Sequence, residues 1–346
     1  MRQRHPARIV RRMAVATAVV LTLAVTLVGQ APNTSDKPAA KATPTASRTP
    51  WGDPDLQGVW DFRTTTPLER PAELAGKETL TEAEAAEYAA KTVKARNRDT
   101  NVPEGNVGDY NNFWYDYGNK SVGTRRTALI TDPKDGKIPP LTPEAQKKAD
   151  ALAAARKGTG MHEPTPGGWT DSLGSNGLQV RCIVGFNSGP PMTPSAYNNN
   201  VQIVQTPGTV VLLNEMNHSA RTVPLDNRPR GNARRWTGVS RGKWDGSTLV
   251  VETTNFLRET AFDNGRTDAN LQLVERFTRS DANTIVYEFT VNDPTVYTRP
   301  WTVQMTMNRS DEHLYEYACH EGNRAMTSIL AGARAKEKQK AAPAAR

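Results

Sequence analysis

The chain has 346 residues and a formal net charge of +8, and the length suits one large domain. The excess charge lies at the ends: residues 1–31 and 334–346 hold ten Lys and Arg against one acid, whereas the rest holds 34 against 35. A nearly neutral body lacks the basic surface that nucleic-acid binding requires. We therefore expect no nucleic-acid partner.

The first 31 residues have the order of a secretory signal peptide. Five arginines come first, an apolar run from Met13 to Val28 follows, and Gly29-Gln30-Ala31 supplies small residues for cleavage. The run is shorter than a membrane span needs, so we expect no stable span after cleavage and a periplasmic or secreted location. Arg11-Arg12 leaves the general and twin-arginine export routes both open.

Composition then divides the mature chain into three parts. Residues 32–50 are rich in Ala, Pro, Thr, Ser and Lys and predict a disordered linker, because they cannot bury an apolar core. Residues 334–346 predict a disordered tail for the same reason. Residues 51–333 remain as a single domain.

The N-terminal part of this domain predicts helices and loops. Thr81 and Glu84 form a capping box that begins a helix over Glu82–Arg98. Thr142-Pro143-Glu144 begins a second helix, which Gly158 ends. Both helices have thin apolar faces, so they form an outer wrap rather than a core.

From about residue 199 the hydrophobic period changes to two, which predicts strands joined by tight turns. The predicted strands are Asn200–Gln205, Thr209–Asn214, Thr248–Thr253, Leu271–Thr278, Thr284–Val291, Trp301–Asn308 and His313–Cys319. With no helices between them, they form an antiparallel meander, and closure into a barrel would remove its edges. Gly58-Val59-Trp60 is similar to the start of the first strand in lipocalin-like barrels, where the tryptophan closes one end. The predicted fold class is mostly β, an up-and-down, lipocalin-like barrel with an N-terminal helical and loop wrap.

Several longer segments carry a resemblance to one family. They are WGDPDLQGVW (51–60), RTALITDP (126–133), YNNN (197–200), WDGSTLVVET (244–253) and YACHEGN (317–323). On these segments the chain resembles an uncharacterised family of exported bacterial proteins over about residues 51–333. The resemblance implies export and a mostly β domain, and it supplies no activity and no catalytic residues.

The two cysteines, Cys182 and Cys319, predict a disulfide, because an even pair in an oxidising compartment is usually bridged. The alternative is a pair of buried free thiols.

The sharpest candidate site is Glu215-x-x-His218-x-x-Arg221, which follows an apolar strand. His218 is a candidate general base, and either Glu215, the candidate catalytic carboxylate, or Asp226 would fix its tautomer. Arg221, Asp226 and Arg228 are candidate ligand contacts on the same loop. The alternative is a solvated loop with one or two ion pairs. The wider segment 221–243 is rich in arginine, which favours either a carboxylate or phosphate ligand or an ordinary charged surface.

A second candidate lies in Tyr317–Asn323. His320 and Glu321 form another acid–base pair, and Tyr317 and Asn323 are candidate ligand contacts. The alternative is a strand end with a capping asparagine. If the two histidine regions met, they would resemble a zinc set, but their spacing matches no compact metal motif, so we expect no metal and no cofactor.

The aromatic segment Phe113–Tyr117 supplies Trp114 as a further ligand contact, unless these rings only pack. Three function classes remain open. The first is a carrier that binds a small, partly apolar or carboxylate-bearing ligand in a barrel cavity. The others are a barrel enzyme that uses the His and Glu pairs for hydrolysis, elimination or isomerisation, and an envelope interaction module. The oligomeric state stays open.

Overall fold

Alternating apolar residues bring ten strands of the described chain into one antiparallel sheet. The computed structural model describes residues 47–101, 111–159, 177–226, 228–258 and 267–341, which belong to one compact unit, Pro44–Arg346. The predicted signal peptide and most of the predicted linker lie outside the described residues.

The strands are β1 Gly58–Asp61, β2 Ile130–Asp132, β3 Asn200–Thr206, β4 Thr209–Asn214, β5 Ala220–Pro224, β6 Val239–Asp245, β7 Thr248–Thr254, β8 Gln272–Asp281, β9 Thr284–Asn292 and β10 Trp301–Ser310. Their order across the sheet is β5-β4-β3-β1-β10-β9-β8-β7-β6, and β2 adds a short pairing to β10. The strands predicted between residues 200 and 308 are confirmed to within three residues at each end. The arginine-rich segment 221–243 is not all loop, since it contains most of β5 and the start of β6.

The last predicted strand, His313–Cys319, is wrong. These residues form a loop after β10. On one face of a strand here, Glu316 would lie between Leu314 and Ala318, so that face is not continuously apolar. On the other face, Tyr315 is 69% exposed. β10 already has β1 on one side and β9 on the other, which leaves no open edge beside it.

The sheet curls, but hydrogen bonds do not close it into a barrel. Its two edge strands, β5 and β6, approach each other at Gly242. A Cβ on this glycine would lie 2.8 Å from Val223 Cγ1 and 2.7 Å from Leu225 Cδ2. The two edges therefore meet through side chains where only a glycine leaves room. The fold prediction is confirmed as a mostly β, antiparallel, up-and-down sheet and not as a closed barrel.

Large apolar side chains fill the buried face of the sheet. Phe277, Tyr287, Phe289 and Trp301 are each fully buried, and their ring centroids follow one another at 4.8, 5.7 and 6.3 Å. Trp60 is also fully buried, and its indole N–H donates to the Leu56 carbonyl at 2.9 Å. Aromatic packing of this kind contributes beyond the buried area itself, so the sheet interior is the main core.

The helices of the described chain are α1 Glu82–Arg96, α2 Pro143–Ala155, α3 Gly177–Val180 and α4 Ala325–Ala341, with short 3-10 turns at Ala72–Leu74, Asn112–Trp114 and Met216–His218. The Thr81–Glu84 capping box of α1 is present, and Thr142 caps α2. α4 enters the segment predicted to be a disordered tail. Ala, Lys, Glu and Gln favour helix even without burial, and composition alone did not separate helix from disorder here. Among the described residues, no helix combines the length and apolar character needed to cross a membrane.

The predicted disulfide is confirmed. Cys182, just after α3, is bonded to Cys319 in the loop after β10, with 5.6 Å between the two Cα atoms. The bond joins segments 137 residues apart and fixes the loop that contains Tyr317 and His320. A disulfide is compatible with an extracytoplasmic location.

Candidate functional site

Glu215 and His218 do not form the predicted acid–base pair. Glu215 is buried; its carboxylate accepts the Asn200 side-chain amide at 2.8 Å and the Tyr315 backbone N–H at 3.4 Å. His218 is exposed at the end of a 3-10 turn, with its backbone N–H bonded to the Glu215 carbonyl. The carboxylate thus anchors the loop after β10 rather than orienting the imidazole.

Arg221 lies inside the sheet instead of at a ligand site. Its guanidinium makes a two-point contact with Glu275 of β8, including Nη2 to Oε1 at 2.8 Å. The Tyr287 hydroxyl donates to the same carboxylate at 2.7 Å and accepts the Met192 backbone N–H at 3.1 Å. Burial is the largest single influence and lowers the pKa of Arg221, but the charge of Glu275, the hydrogen bonds to it and the nearby Tyr287 together outweigh burial, so the pKa is raised. Burial, and then the Glu275 charge, raises the pKa of Tyr287 well above its ordinary value.

The sequence contained a signal for this network. Glu275 and Tyr287 alternate in phase with buried apolar residues on β8 and β9, and Arg221 is in phase with buried Val223 on β5. A charged residue in the apolar phase of a strand indicates a buried pair, but the partner across the sheet is fixed only by the curl.

Tyr317 and Asn323 make contacts within the protein. The Tyr317 ring stacks on Tyr197 with centroids 6.5 Å apart, and the Asn323 amide donates to the Val180 carbonyl at 3.3 Å and to Cys182 Sγ at 3.0 Å. His320 and Glu321 are exposed. Over the described ranges neither His218 nor His320 makes a side-chain hydrogen bond, and no group of three or more His, Cys, Asp and Glu side chains is placed to hold a metal ion.

The remaining predicted contacts lie on the surface. Asp226 and Arg228 form an exposed ion pair on their own loop, with Nε to Oδ2 at 2.7 Å. Arg234 and Arg241 donate to backbone carbonyls, so part of the arginine-rich segment serves to hold its own chain. Trp114 is 59% exposed beside Phe113, which is 82% exposed.

A cleft that sequence reasoning missed lies on the outside of the sheet. Its volume is about 450 Å³. The C-terminal half of α1, the segment 112–120 and the paired residues Asp61 of β1 and Asn308 of β10 enclose it. The lining residues are Asp61, Arg63, Val93, Arg96, Asn112, Tyr115, Asp116, Tyr117, Gly118, Asn119, Lys120 and Asn308.

The segment 115–120 is held firmly against the strand region. The Lys120 carbonyl accepts the Thr65 backbone N–H at 2.8 Å and the Thr64 hydroxyl at 3.1 Å. Gly118 has a φ of 79° and lies so close to Arg63 that a Cβ would meet the Arg63 Cβ at 2.7 Å. Only glycine fits this position, and the close approach keeps the cleft wall in place.

The aromatic rings of the cleft are engaged by the protein itself. Tyr115 and Tyr117 stack in parallel with centroids 5.4 Å apart. The Arg96 guanidinium lies 5.1 Å from the Tyr117 ring centre, and Arg98 lies 5.3 Å from the Tyr115 ring centre. These rings therefore position arginines rather than offering a free face for a sugar or an aromatic ligand.

The two cleft arginines differ in their partners. Arg63 donates to Asp61 at 2.8 Å and also contacts Asp116, and these hydrogen bonds, that to Asp61 foremost, raise the pKa of Arg63. Arg96 has no carboxylate partner within the described part of the chain. Burial lowers its pKa, because the charged guanidinium has lost water without gaining an anion. Arg96 also ends α1, and in the sequence it has the ordinary pattern of a basic residue at a helix C-terminus.

A second, apolar groove adjoins the cleft. It has a volume of about 890 Å³ and runs along α1, opposite residues 119–125. Val93, Asn119 and Lys120 line both the groove and the cleft.

No family model, curated protein or solved structure matches this chain.

Proposed function

We propose that the protein is an extracytoplasmic binding protein for a small monocarboxylate, which it binds in the cleft between α1 and residues 112–120. The observation that carries the proposal is Arg96, a partly buried guanidinium with no carboxylate partner in the described chain. The disulfide and the predicted signal peptide support an extracytoplasmic location.

The chemistry of the cleft favours a carboxylate. A guanidinium binds carboxylates through two parallel N–H···O bonds, and it does so most strongly where water is partly excluded. Lys120 adds a second cation at the lining. Asp61 and Asp116 together exceed the charge of Arg63 by one negative charge and would repel a multiply charged anion such as phosphate. The local charge therefore suits one negative charge better than two.

This position differs from the barrel cavity that the sequence predicts. Phe277, Tyr287 and Phe289 occupy the sheet interior, and the Arg221–Glu275 pair satisfies its own charges there. The Glu215 carboxylate is bonded to Asn200 and Tyr315, so the expected Glu215–His218 acid–base pair has no support in the geometry.

Isothermal titration calorimetry of the mature protein with octanoate, octanol and octyl phosphate tests the proposal. We expect octanoate to bind more tightly than the other two. Arg96→Met should weaken octanoate binding about 10- to 100-fold, the effect of losing a charged hydrogen bond.

Lys91→Met is the matched control, because this substitution also removes one positive charge from α1, and Lys91 lines neither the cleft nor the groove. It should leave octanoate affinity within about twofold, as expected for a screened surface charge. Equal affinity of octanoate for the wild type and Arg96→Met, or no octanoate binding at all, would overturn the proposal.

A further inference from the structure

We infer that the bound acid is an aliphatic one, with its carboxylate at Arg96 and its chain in the groove along α1. The inference rests on the proposed function. Cleft and groove adjoin, because Val93, Asn119 and Lys120 line both. A ligand that binds in the cationic cleft therefore lies next to the apolar groove.

The groove exists because one face of α1 carries small side chains. Ala85, Ala86, Ala89 and Ala90 recur at helical spacing and lead to Val93 at the junction with the cleft. Ser121, Val122 and Gly123 form the facing wall. Large apolar side chains on this face of α1 would fill the space, whereas the short alanine side chains leave the groove open between the helix and the facing wall.

The dimensions suit an alkyl chain. From Ala85 to Val93 the helix rises about 12 Å, the length of an extended chain of roughly ten carbons. Val93 is 42% exposed and lies where the chain would leave the carboxylate. Each methylene buried in the groove should raise the affinity about two- to fourfold.

The groove is flanked by polar groups that do not compete for the chain. Glu82 and Arg125 lie at its lining, and the Arg125 Nε–H donates to the Leu80 carbonyl at 3.3 Å. An acid with an apolar chain uses both parts of the surface at once. A short acid uses only the cleft, and a long alcohol uses only the groove.

Calorimetric titration of the mature protein with butanoate, octanoate and dodecanoate, each below its micelle concentration, tests the inference. In the wild type the affinity should rise steadily along the series. Ala90→Leu should remove most of this rise and leave butanoate binding unchanged. Ala90 is exposed on α1 and leucine favours helix, so the variant should fold.

Ala95→Leu makes the same change at an exposed position of α1 outside both linings, and it should behave as the wild type. Equal affinities for butanoate and dodecanoate, both still dependent on Arg96, would overturn the aliphatic inference but leave the proposed function intact. A rise with chain length that Ala90→Leu does not affect would also overturn it, because the chain would then lie elsewhere. Failure of every acid to bind would overturn the proposed function itself.

Discussion

Arg221 is buried in the sheet interior and Arg96 is half-buried in the outer cleft, and the two arginines also differ in what surrounds the charge. Arg221 meets the Glu275 carboxylate at two points, and its pKa is raised. Arg96 lies against the Tyr117 ring, and burial lowers its pKa. Arg221 therefore has its counter-charge, Glu275, within the fold, whereas Arg96 lies in a cleft where a ligand could supply one.

The comparison separates a structural charge from a candidate functional one. A buried ion pair gives little net stability over apolar residues, but losing one partner is costly, because the other charge stays in a dry interior. A partly buried cation without an anion loses hydration, and within the folded protein only its contact with the Tyr117 ring offsets this loss. A ligand carboxylate would supply the counter-charge that the ring does not.

The largest effect should come from breaking the interior pair. Glu275→Gln leaves the Arg221 guanidinium buried without its counter-charge, so the free energy of unfolding should fall by about 3–5 kcal/mol. Urea unfolding followed by circular dichroism measures it. The double variant Arg221→Met/Glu275→Leu should recover more than half of the loss. If the unfolding free energy of Glu275→Gln lies within about 1 kcal/mol of the wild-type value, water reaches the Arg221–Glu275 pair and the pair is not a buried one.

The approach of the sheet edges should give the next effect. Gly242→Val puts side-chain atoms where Val223 and Leu225 already lie, so it should lower the unfolding free energy by about 1–3 kcal/mol. Because Arg221 lies on β5, the same variant should loosen the interior pair while leaving the outer cleft unchanged. Gly332→Ala is the control, since no atom lies within 4 Å of a Cβ there. An unaffected Gly242→Val protein would mean that the edges do not touch.

A smaller effect should come from the Tyr287 hydroxyl. Its pKa is raised in the folded state, so unfolding favours loss of the proton once the pH passes the ordinary tyrosine value of 10. The stability that Tyr287 contributes is therefore complete below about pH 10 and falls above it. Unfolding free energies at pH 8 to 11 should show the wild type losing more stability than Tyr287→Phe. Parallel curves for the two proteins would contradict the buried hydrogen bond.

Much of the β architecture could be predicted from the sequence, because alternation is a local signal. Strands β3, β4 and β7 to β10 follow apolar residues at a period of two, and the Thr81–Glu84 box marks its helix without any tertiary contact. Strands β5 and β6 overlap the arginine-rich segment and were not predicted. Beyond β10, Glu316 separates Leu314 from Ala318 on one face of the predicted strand, so that face has no continuous apolar row, and the segment is a loop.

The candidate site could not be predicted in the same way, because it depends on contacts between distant segments. In the sequence, Arg96 has the pattern of an ordinary cation at the end of a helix, and only the fold brings the Tyr117 ring against it. Likewise, Arg221 reads as a loop arginine until the curl of the sheet brings Glu275 to it from 54 residues away. The sequence shows where the charged residues lie along the chain, but it does not show which of them form ion pairs in the folded protein.

The most direct test of the account measures stability and ligand affinity on the same Arg96→Met protein. We expect its unfolding free energy without ligand to stay within about 0.5 kcal/mol of the wild type, as for a substitution outside a buried network. Its octanoate affinity should fall about 10- to 100-fold. A protein that loses several kcal/mol of stability and binds octanoate as the wild type does would show that Arg96, like Arg221, serves the fold.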